Sequence, residues 1–491
     1  MAAAFSAWVV MVSSAIASKG HQVNVRRPNI LWIMADDLGM GEPSHASAPF
    51  STHGRISTPR VDKLASQGMR FSAAYAGYTV CAPSRATLMT GRNSGHLQGV
   101  PNGAPTLTQL LKSGGYDTAV FGKSAPMDEC PPKGDCNEIQ WGLPRVFGVD
   151  TFIGTPNQAL CHNMYPVSIT SENVSVPLPL NMANKSRNLC MSHPERYNYS
   201  SDLYTDASIA WLRKRAADDS NPFFLYVSYT VPHAGGWASA PDYEEQGQPV
   251  PYGYAYSNNT DWPVVERDHA AVITDLDTRV GALLDTLESQ GLEDNTVVFF
   301  ASDNGAHSEC GHDVKFFDST GGLKGFKRSY YEGGIRSPSL VKWPGVIQPG
   351  SISHTPWAFW DALPTMLEIG SIPLPKSALF DGRSIVRALR GEEMEPPEYM
   401  YWTWNGVTNL HQSRPLVKNS GYSVRVGNWK GVVKLCASNV STPSLHDAME
   451  LYDLSSDPYE TRDVVRENWQ VAHGMKKMLS SKSLSCACFQ C

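Results

Sequence analysis

The 491-residue sequence lacks any run of basic residues, any long apolar stretch beyond its first seventeen positions, any internal repeat and any low-complexity tract. Its 41 Lys and Arg are outnumbered by 47 Asp and Glu, for a formal charge of −6. A nucleic-acid binder needs clustered cations to displace phosphate counterions, so that class is excluded. A membrane-spanning helix needs roughly 20 apolar residues, and no later segment supplies them. Charged residues are also few, 18% against 42% hydrophobic. That balance excludes a disordered or collagen-like chain and leaves apolar surface for a large core. The length predicts a large domain with a smaller one, and the mild acidity fits a small-molecule or sugar ligand.

What is present begins with the apolar stretch Ala2 to Ala17, ending in the small-x-small pattern Ala15-Ile16-Ala17. It predicts an export signal over residues 1–17 and a destination in the secretory pathway, secreted or lysosomal, although positive charge ahead of it is limited to the amino terminus. Sequons at Asn173, Asn184, Asn198, Asn258 and Asn439 predict a glycoprotein, with an exposed region where three of them crowd between 173 and 200. Ten cysteines in an exported chain predict disulfides. Cys130 and Cys136 flank a Pro-Pro-Lys-Gly-Asp turn that could close a short loop; the pairing of the others stays open.

Ile30 to Met34 is a continuous apolar run, long enough for a buried parallel strand and too short for a helix, and Asp36-Asp37 follow it. Helices are predicted from Thr58-Pro59 to Gly68, from Thr106 to Lys112, from Ser201 to Ala217 and from Asp268 to Gln290. Strands are predicted over Phe223 to Tyr229, leading into Pro232-His233, and over Val297 to Ala301, leading into Asp303-Asn304. Strands alternating with helices imply an α/β domain, a parallel sheet covered on both faces. Such sheets bind ligands beyond the carboxyl ends of their strands, where Asp36, Asp37, His233, Asp303 and Asn304 all stand. From about Pro373 the pattern changes to short alternating runs, Tyr422 to Val426 and Gly431 to Leu435, which predict a small antiparallel sheet. The expected division is a catalytic domain at 26–372 and a smaller α+β domain at 373–491.

The segment Cys81-Ala82-Pro83-Ser84-Arg85 followed by Thr90-Gly91-Arg92 resembles the sulfatase signature. Taken alone, the segment also fits a lesser reading, a disulfide cysteine beside a helix start. Four more segments resemble sulfatase blocks in the same order. They are Pro28 to Gly39, Ser302-Asp303-Asn304-Gly305, Lys327 to Pro338, and Leu451-Tyr452-Asp453-Leu454 with Asp457-Pro458 and Glu460. The resemblance covers about residues 26 to 465. It implies an alkaline-phosphatase-like fold with a large mixed, mostly parallel sheet sandwiched by helices, and a smaller C-terminal domain of antiparallel sheet plus helix. It also implies hydrolysis of sulfate esters, aryl or carbohydrate, with a sulfated small molecule or glycan as substrate.

In sulfatases the signature cysteine is oxidised by a formylglycine-generating enzyme, so that enzyme is an implied partner of this chain. The resulting aldehyde at Cys81 hydrates to a geminal diol. One hydroxyl attacks sulfur and displaces the alcohol, and deprotonating the second expels sulfate and restores the aldehyde. The resemblance makes Asp36, Asp37, Asp303 and Asn304 ligands of one ion, with an oxygen of modified Cys81 completing its shell. This hard all-oxygen set suits calcium or magnesium and disfavours zinc; the resemblance favours calcium. Arg85 matches a residue that steadies the hydrate, Lys123 and Lys327 match sulfate-contacting lysines, and His233 matches the acid for the leaving oxygen. Lys324 is a nearby rival of Lys327, and His162 is a further candidate for the substrate loop. One departure stands out. Sulfatases commonly continue Gly-Lys-Trp-His, whereas this chain reads Gly122-Lys123-Ser124-Ala125, with no imidazole at 125. Two other readings share these motifs: a phosphonate or phosphodiester hydrolase, and an inactive binder of sulfated glycans.

Overall fold

The computed structural model describes residues 26–44, 54–97, 104–124, 147–156, 161–182, 198–218, 220–235, 248, 250, 255–376, 379–404, 421–434 and 449–482. The expected export signal, Ala125, Cys130, Cys136, Asn184 and Asn439 lie outside these residues.

Strand β1 (Asn29–Asp36) is buried at all eight positions, which is why it reads as a continuous apolar run and not as an alternation. Its side chains still alternate in space. Leu31, Ile33 and Ala35 enter one core, and Ile30, Trp32 and Met34 the other. The remaining strands of the main sheet are β2 (Met69–Phe71), β4 (Asp117–Lys123), β5 (Thr151–Thr155), β6 (Ser168–Ser171), β7 (Val174–Pro177), β8 (Phe223–Pro232), β9 (Thr296–Ser302), β10 (Ser339–Lys342) and β11 (Ser351–Ser353). A separate two-residue strand β3 (Ala74–Tyr75) pairs with β12 (Trp357–Ala358).

The ten-stranded order is β11-β2-β10-β9-β1-β8-β4-β5-β6-β7. At its centre β9, β1, β8, β4 and β5 run parallel, so their carboxyl ends open on the same rim. Antiparallel pairs flank this centre: β10 against β9 and β2 on one side, and the β5-β6-β7 ribbon on the other. The sheet is therefore mixed but parallel where it matters for ligand binding.

Helices α1 (Pro59–Gln67), α4 (Ser200–Ala217) and α5 (Val264–Ser289) cover one face; α2 (Cys81–Thr90), α3 (Leu107–Ser113) and α6 (Ala362–Ile369) cover the other. Some boundaries differ from expectation; β8, for one, runs on past Tyr229 to Pro232. Helix α5 starts at Val264, four residues before Asp268, because its first turn is held by polar contacts that apolar periodicity does not register: Glu266 accepts from His312 Nδ1 at 2.7 Å and from the Asp313 N–H at 2.8 Å. Helix α2 starts at Cys81, before Pro83. The first turn of a helix has no internal partner for its N–H groups, so proline costs little there.

The C-terminal part is the antiparallel sheet β13 (Met400–Trp404), β14 (Gly421–Val426), β15 (Trp429–Lys434) and β16 (Met449–Asp453), with helix α7 (Trp469–Ser481) packed on it through Ala472 and Met475. It is fastened to the main body by apolar contact and by charge. Tyr330 and Tyr331 pack with Val432 and Tyr452, and Tyr75 with Trp402. Beneath them Lys430 Nζ, fully buried, lies 2.8 Å from Glu332 Oε1 and 3.0 Å from Glu460 Oε1. Arg336 also bonds Glu332, but removing Lys430 takes away the ammonium that Glu332 and Glu460 share. Lys430→Met is therefore expected to lower the unfolding free energy by about 3–5 kcal/mol. Urea denaturation checks this, and a loss below about 1 kcal/mol would mean that the two carboxylates share a proton instead. No helix among the described residues is long and apolar enough to cross a membrane.

Candidate active site

Four of the five central parallel strands each deliver a polar residue to one rim. Strand β1 ends in Asp36 and is followed by Asp37, β9 is followed by Asp303 and Asn304, β8 by His233, and β4 ends in Lys123. Asp37 sits at φ 69°, a left-handed turn that ends the strand and lets its N–H donate to Asp303 Oδ1 at 3.1 Å. Lys123 depends on Gly122, whose φ is 112° and where a β-carbon would fall 2.0 Å from the Ser228 carbonyl oxygen. Gly305 is just as confined. Its N–H donates to Gly334 O at 3.1 Å, and a β-carbon there would lie 1.9 Å from Gly333 O.

The first turn of α2 presents Cys81 to this rim. The thiol is buried, and a ligand atom from each of Cys81, Asp36 and Asp303 lies within 4.8 Å of the others. Burial pushes the thiol pKa up; Lys123 pulls against this, while Asp36 and Asp303 add to it. Burial thus disfavours the thiolate, the form a thiol nucleophile needs. One turn on, Arg85 is fully enclosed. It meets Asp303 Oδ2 through Nε at 2.8 Å and Nη2 at 2.6 Å, and its Nη1 reaches the Tyr226 hydroxyl, the Lys123 carbonyl and Ser228 Oγ.

Two Asp–Lys–His arms face each other across the rim. In one, Lys123 Nζ is 2.7 Å from Asp36 Oδ2 and 3.3 Å from His162 Nε2. In the other, Lys327 Nζ is 2.6 Å from Asp37 Oδ2 and 2.9 Å from His233 Nε2. The two imidazoles stack with centroids 3.9 Å apart and an interplanar angle of 10°. Burial holds both histidines below their ordinary pKa, each helped by its lysine, and His162 also by His233. They are neutral, and His233 has a fixed tautomer: Nδ1–H donates to the Ala234 carbonyl at 2.5 Å, leaving the Nε2 lone pair toward Lys327.

The carboxylates are unequally served. Lys123 and Arg85 overcome burial to hold Asp36 far below the usual range. Asp303 is pushed up to about 7 by burial and by Asp36, against the pull of Arg85. Two buried oxygens, Asp36 Oδ1 and Asn304 Oδ1, have no hydrogen-bond partner among the described residues. The Asn304 amide is oriented by its own donor, since Nδ2 bonds Asp37 Oδ1 at 2.6 Å and Gly305 O at 2.9 Å. Three clustered carboxylates and an amide, with two buried oxygens that no donor among the described residues serves, form a donor set that suits a hard cation.

Residues 28–372 match the sulfatase family model, and residues 322–484 match the model described as N-sulphoglucosamine sulphohydrolase, C-terminal. The chain belongs to the sulfatase family. This sulfatase is 29% identical to arylsulfatase A of Bos taurus, over 91% of its own length and 85% of that protein. It is 26% identical to steryl-sulfatase of Rattus norvegicus, over 91% of its own length and 86% of that protein. Its fold is shared with the crystal structure of Ps i-CgsB in complex with k-i-k-neocarrahexaose, at a TM-score of 0.69 and 22% identity over 93% of each chain. Family membership makes it a sulfuric ester hydrolase.

Every site residue expected from the sulfatase motifs that lies among the described residues is at this rim: Asp36, Asp37, Cys81, Arg85, Lys123, His162, His233, Asp303, Asn304 and Lys327. Lys324 is not. Its ammonium lies over the rings of Tyr331 and Tyr452 and bonds the Tyr452 hydroxyl at 2.9 Å, on the C-terminal sheet. Motif reading missed Tyr226 and Ser228, which anchor Arg85 from inside β8, and Glu309, whose Oε2 is 3.1 Å from Lys327 Nζ. Glu309 follows Asn304 by five residues in a loop with no periodicity to mark it.

Proposed function

We propose that this sulfatase cleaves sulfate esters of small molecules or glycans through a formylglycine made from Cys81, with one divalent ion held by Asp36, Asp37, Asp303 and Asn304. The observation that carries the proposal is the buried Cys81 side chain at a helix N-terminus, gathered within 4.8 Å with oxygens of Asp36 and Asp303. An unmodified thiol has no chemistry to do there; a hydrated aldehyde has two hydroxyls, one to attack sulfur and one to expel it afterwards. The cation, calcium in preference to magnesium, would acidify the attacking hydroxyl.

The chain's own residues supply the rest. Arg85, locked by Asp303, Tyr226 and Ser228, steadies the group at position 81. Lys123 and Lys327 bring two ammonium charges to the sulfate oxygens in a buried setting, where such charge is most effective. His233, whose Nε2 lone pair faces Lys327 Nζ, must first take a proton at Nε2 and can then pass it to the leaving oxygen. His162, stacked on His233 and touching Lys123, supplies an imidazole beside Lys123 in a chain whose sequence has no histidine at 125. The formylglycine-generating enzyme is the implied maturation partner. A secretory route, secreted or lysosomal, is supported by the leader-like residues 1–17 and by exposed sequons at Asn173, on the β6–β7 turn, and Asn258. Cys310, disulfide-bonded, fits the same compartment.

The test is the mass of the tryptic peptide Phe71 to Arg85 from protein made in its own secretory pathway. The expected mass is that of an aldehyde in place of the thiol. A peptide carrying only unmodified cysteine, from preparations that turn over an aryl sulfate, overturns the formylglycine mechanism.

A further inference from the structure

Arg328 follows Lys327 directly, yet the two side chains go opposite ways. Lys327 is 2% exposed and inside the site, whereas the side chain of Arg328 is 47% exposed. The backbone forces this split. Arg328 sits at φ 72°, and its N–H donates to Thr79 O at 2.8 Å while that of Lys327 donates to Ala306 O at 2.8 Å. A left-handed conformation is unfavourable for a residue with a long side chain, so the geometry comes at a cost that glycine would avoid.

The guanidinium is also aimed. Its Nη1 lies 2.6 Å from Glu309 Oε1, and the other oxygen of the same carboxylate is 3.1 Å from Lys327 Nζ, which in turn is 2.6 Å from Asp37 Oδ2. One carboxylate thus separates the guanidinium from the sulfate-binding arm. Glu309 is only 10% exposed, so a ligand arriving from solvent meets the cation and not its partner. Among the described residues, the other cations of the cluster, Arg85, Lys123 and Lys327, are at most 2% exposed. A guanidinium has five donors in a planar fork; Glu309 engages one edge and the rest match the geometry of a carboxylate or sulfate.

We propose that Arg328, backed by Glu309, is a subsite for a second anionic group on the substrate, a carboxylate or a further sulfate beside the ester that is cleaved. The preferred substrates are then acidic sulfated saccharides. This inference rests on the sulfatase reading and goes beyond it in naming the substrate class.

The experiment compares three sulfated disaccharides of one skeleton, one otherwise neutral, one with a uronate and one with a second sulfate, alongside p-nitrophenyl sulfate. The wild-type enzyme is expected to favour an acidic disaccharide over the neutral one by about ten- to hundredfold in kcat/KM, as a charged hydrogen-bonded pair provides. In Arg328→Gln that ratio should fall to about one, with the loss in KM, and Arg328→Lys should retain part of it. Which acidic disaccharide loses its advantage identifies the anion. A merely structural role for Arg328 would lower all rates alike and keep the ratio, which overturns the subsite. Wild-type protein that cleaves p-nitrophenyl sulfate yet treats the three disaccharides equally also overturns it. Wild-type protein that cleaves none of the four overturns the sulfatase reading and the subsite together.

Discussion

Cys81→Ser is expected to abolish steady-state turnover of an aryl sulfate, by about 10³-fold or more, while leaving the protein folded. Oxygen replaces sulfur in a buried place at nearly the same volume, so the packing of α2 has little reason to change. The chemistry changes entirely. Serine offers a single hydroxyl on its carbon, so a sulfate ester formed there has no neighbouring hydroxyl to eject the sulfate. The variant should at most sulfate itself once and stop. Turnover with p-nitrophenyl sulfate, thermal unfolding and intact mass together check this. A Cys81→Ser protein with near-normal rates would remove the formylglycine from the mechanism.

Asp303→Ala should act on two properties at once. It deletes an anionic oxygen donor from the proposed cation site, so the bound divalent ion measured by elemental analysis should fall well below one per chain. It also leaves Arg85, whose side chain is 1% exposed and whose Nη2 is 2.6 Å from Asp303 Oδ2, with only Asp36, at 3.5 Å, as an anionic partner. Breaking a buried ion pair costs up to about 3–5 kcal/mol, and urea denaturation should show a loss approaching that size. The effects separate in the double variant Asp303→Ala with Arg85→Met. Stability should recover because the orphaned charge is gone, while ion content should not. Unchanged ion content in Asp303→Ala would move the cation site elsewhere.

Much of this rim could be read from the sequence because strand ends are visible there. A buried parallel strand is a continuous apolar run, and the charged or imidazole residue within a few positions of its end marks the rim; Asp36, His233 and Asp303 are legible in this way, and the ordered motifs add Cys81, Arg85 and both lysines. Polar groups inside a strand are hidden by the same logic. Tyr226 and Ser228 lie within an apolar run, and only the fold shows that both reach Arg85. Loop residues escape for a different reason. Glu309 and Arg328 are separated by 19 positions with no periodicity between them, and a left-handed φ is needed to bring the second out to the surface. Lys324 and Lys327 differ in sequence by three positions and in space by which body they serve.

The buried Lys430 cluster has a further meaning. Glu332, which Lys430 holds, is the residue before Gly333 and Gly334, the backbone pair wedged against Gly305 directly after Asp303-Asn304. A fault in the small sheet is therefore passed through three consecutive residues to the loop that carries the proposed cation ligands. A protein truncated after residue 372 should not survive as a minimal enzyme, and inherited or engineered lesions far from Cys81, at Lys430 or Glu460, should present as loss of catalysis.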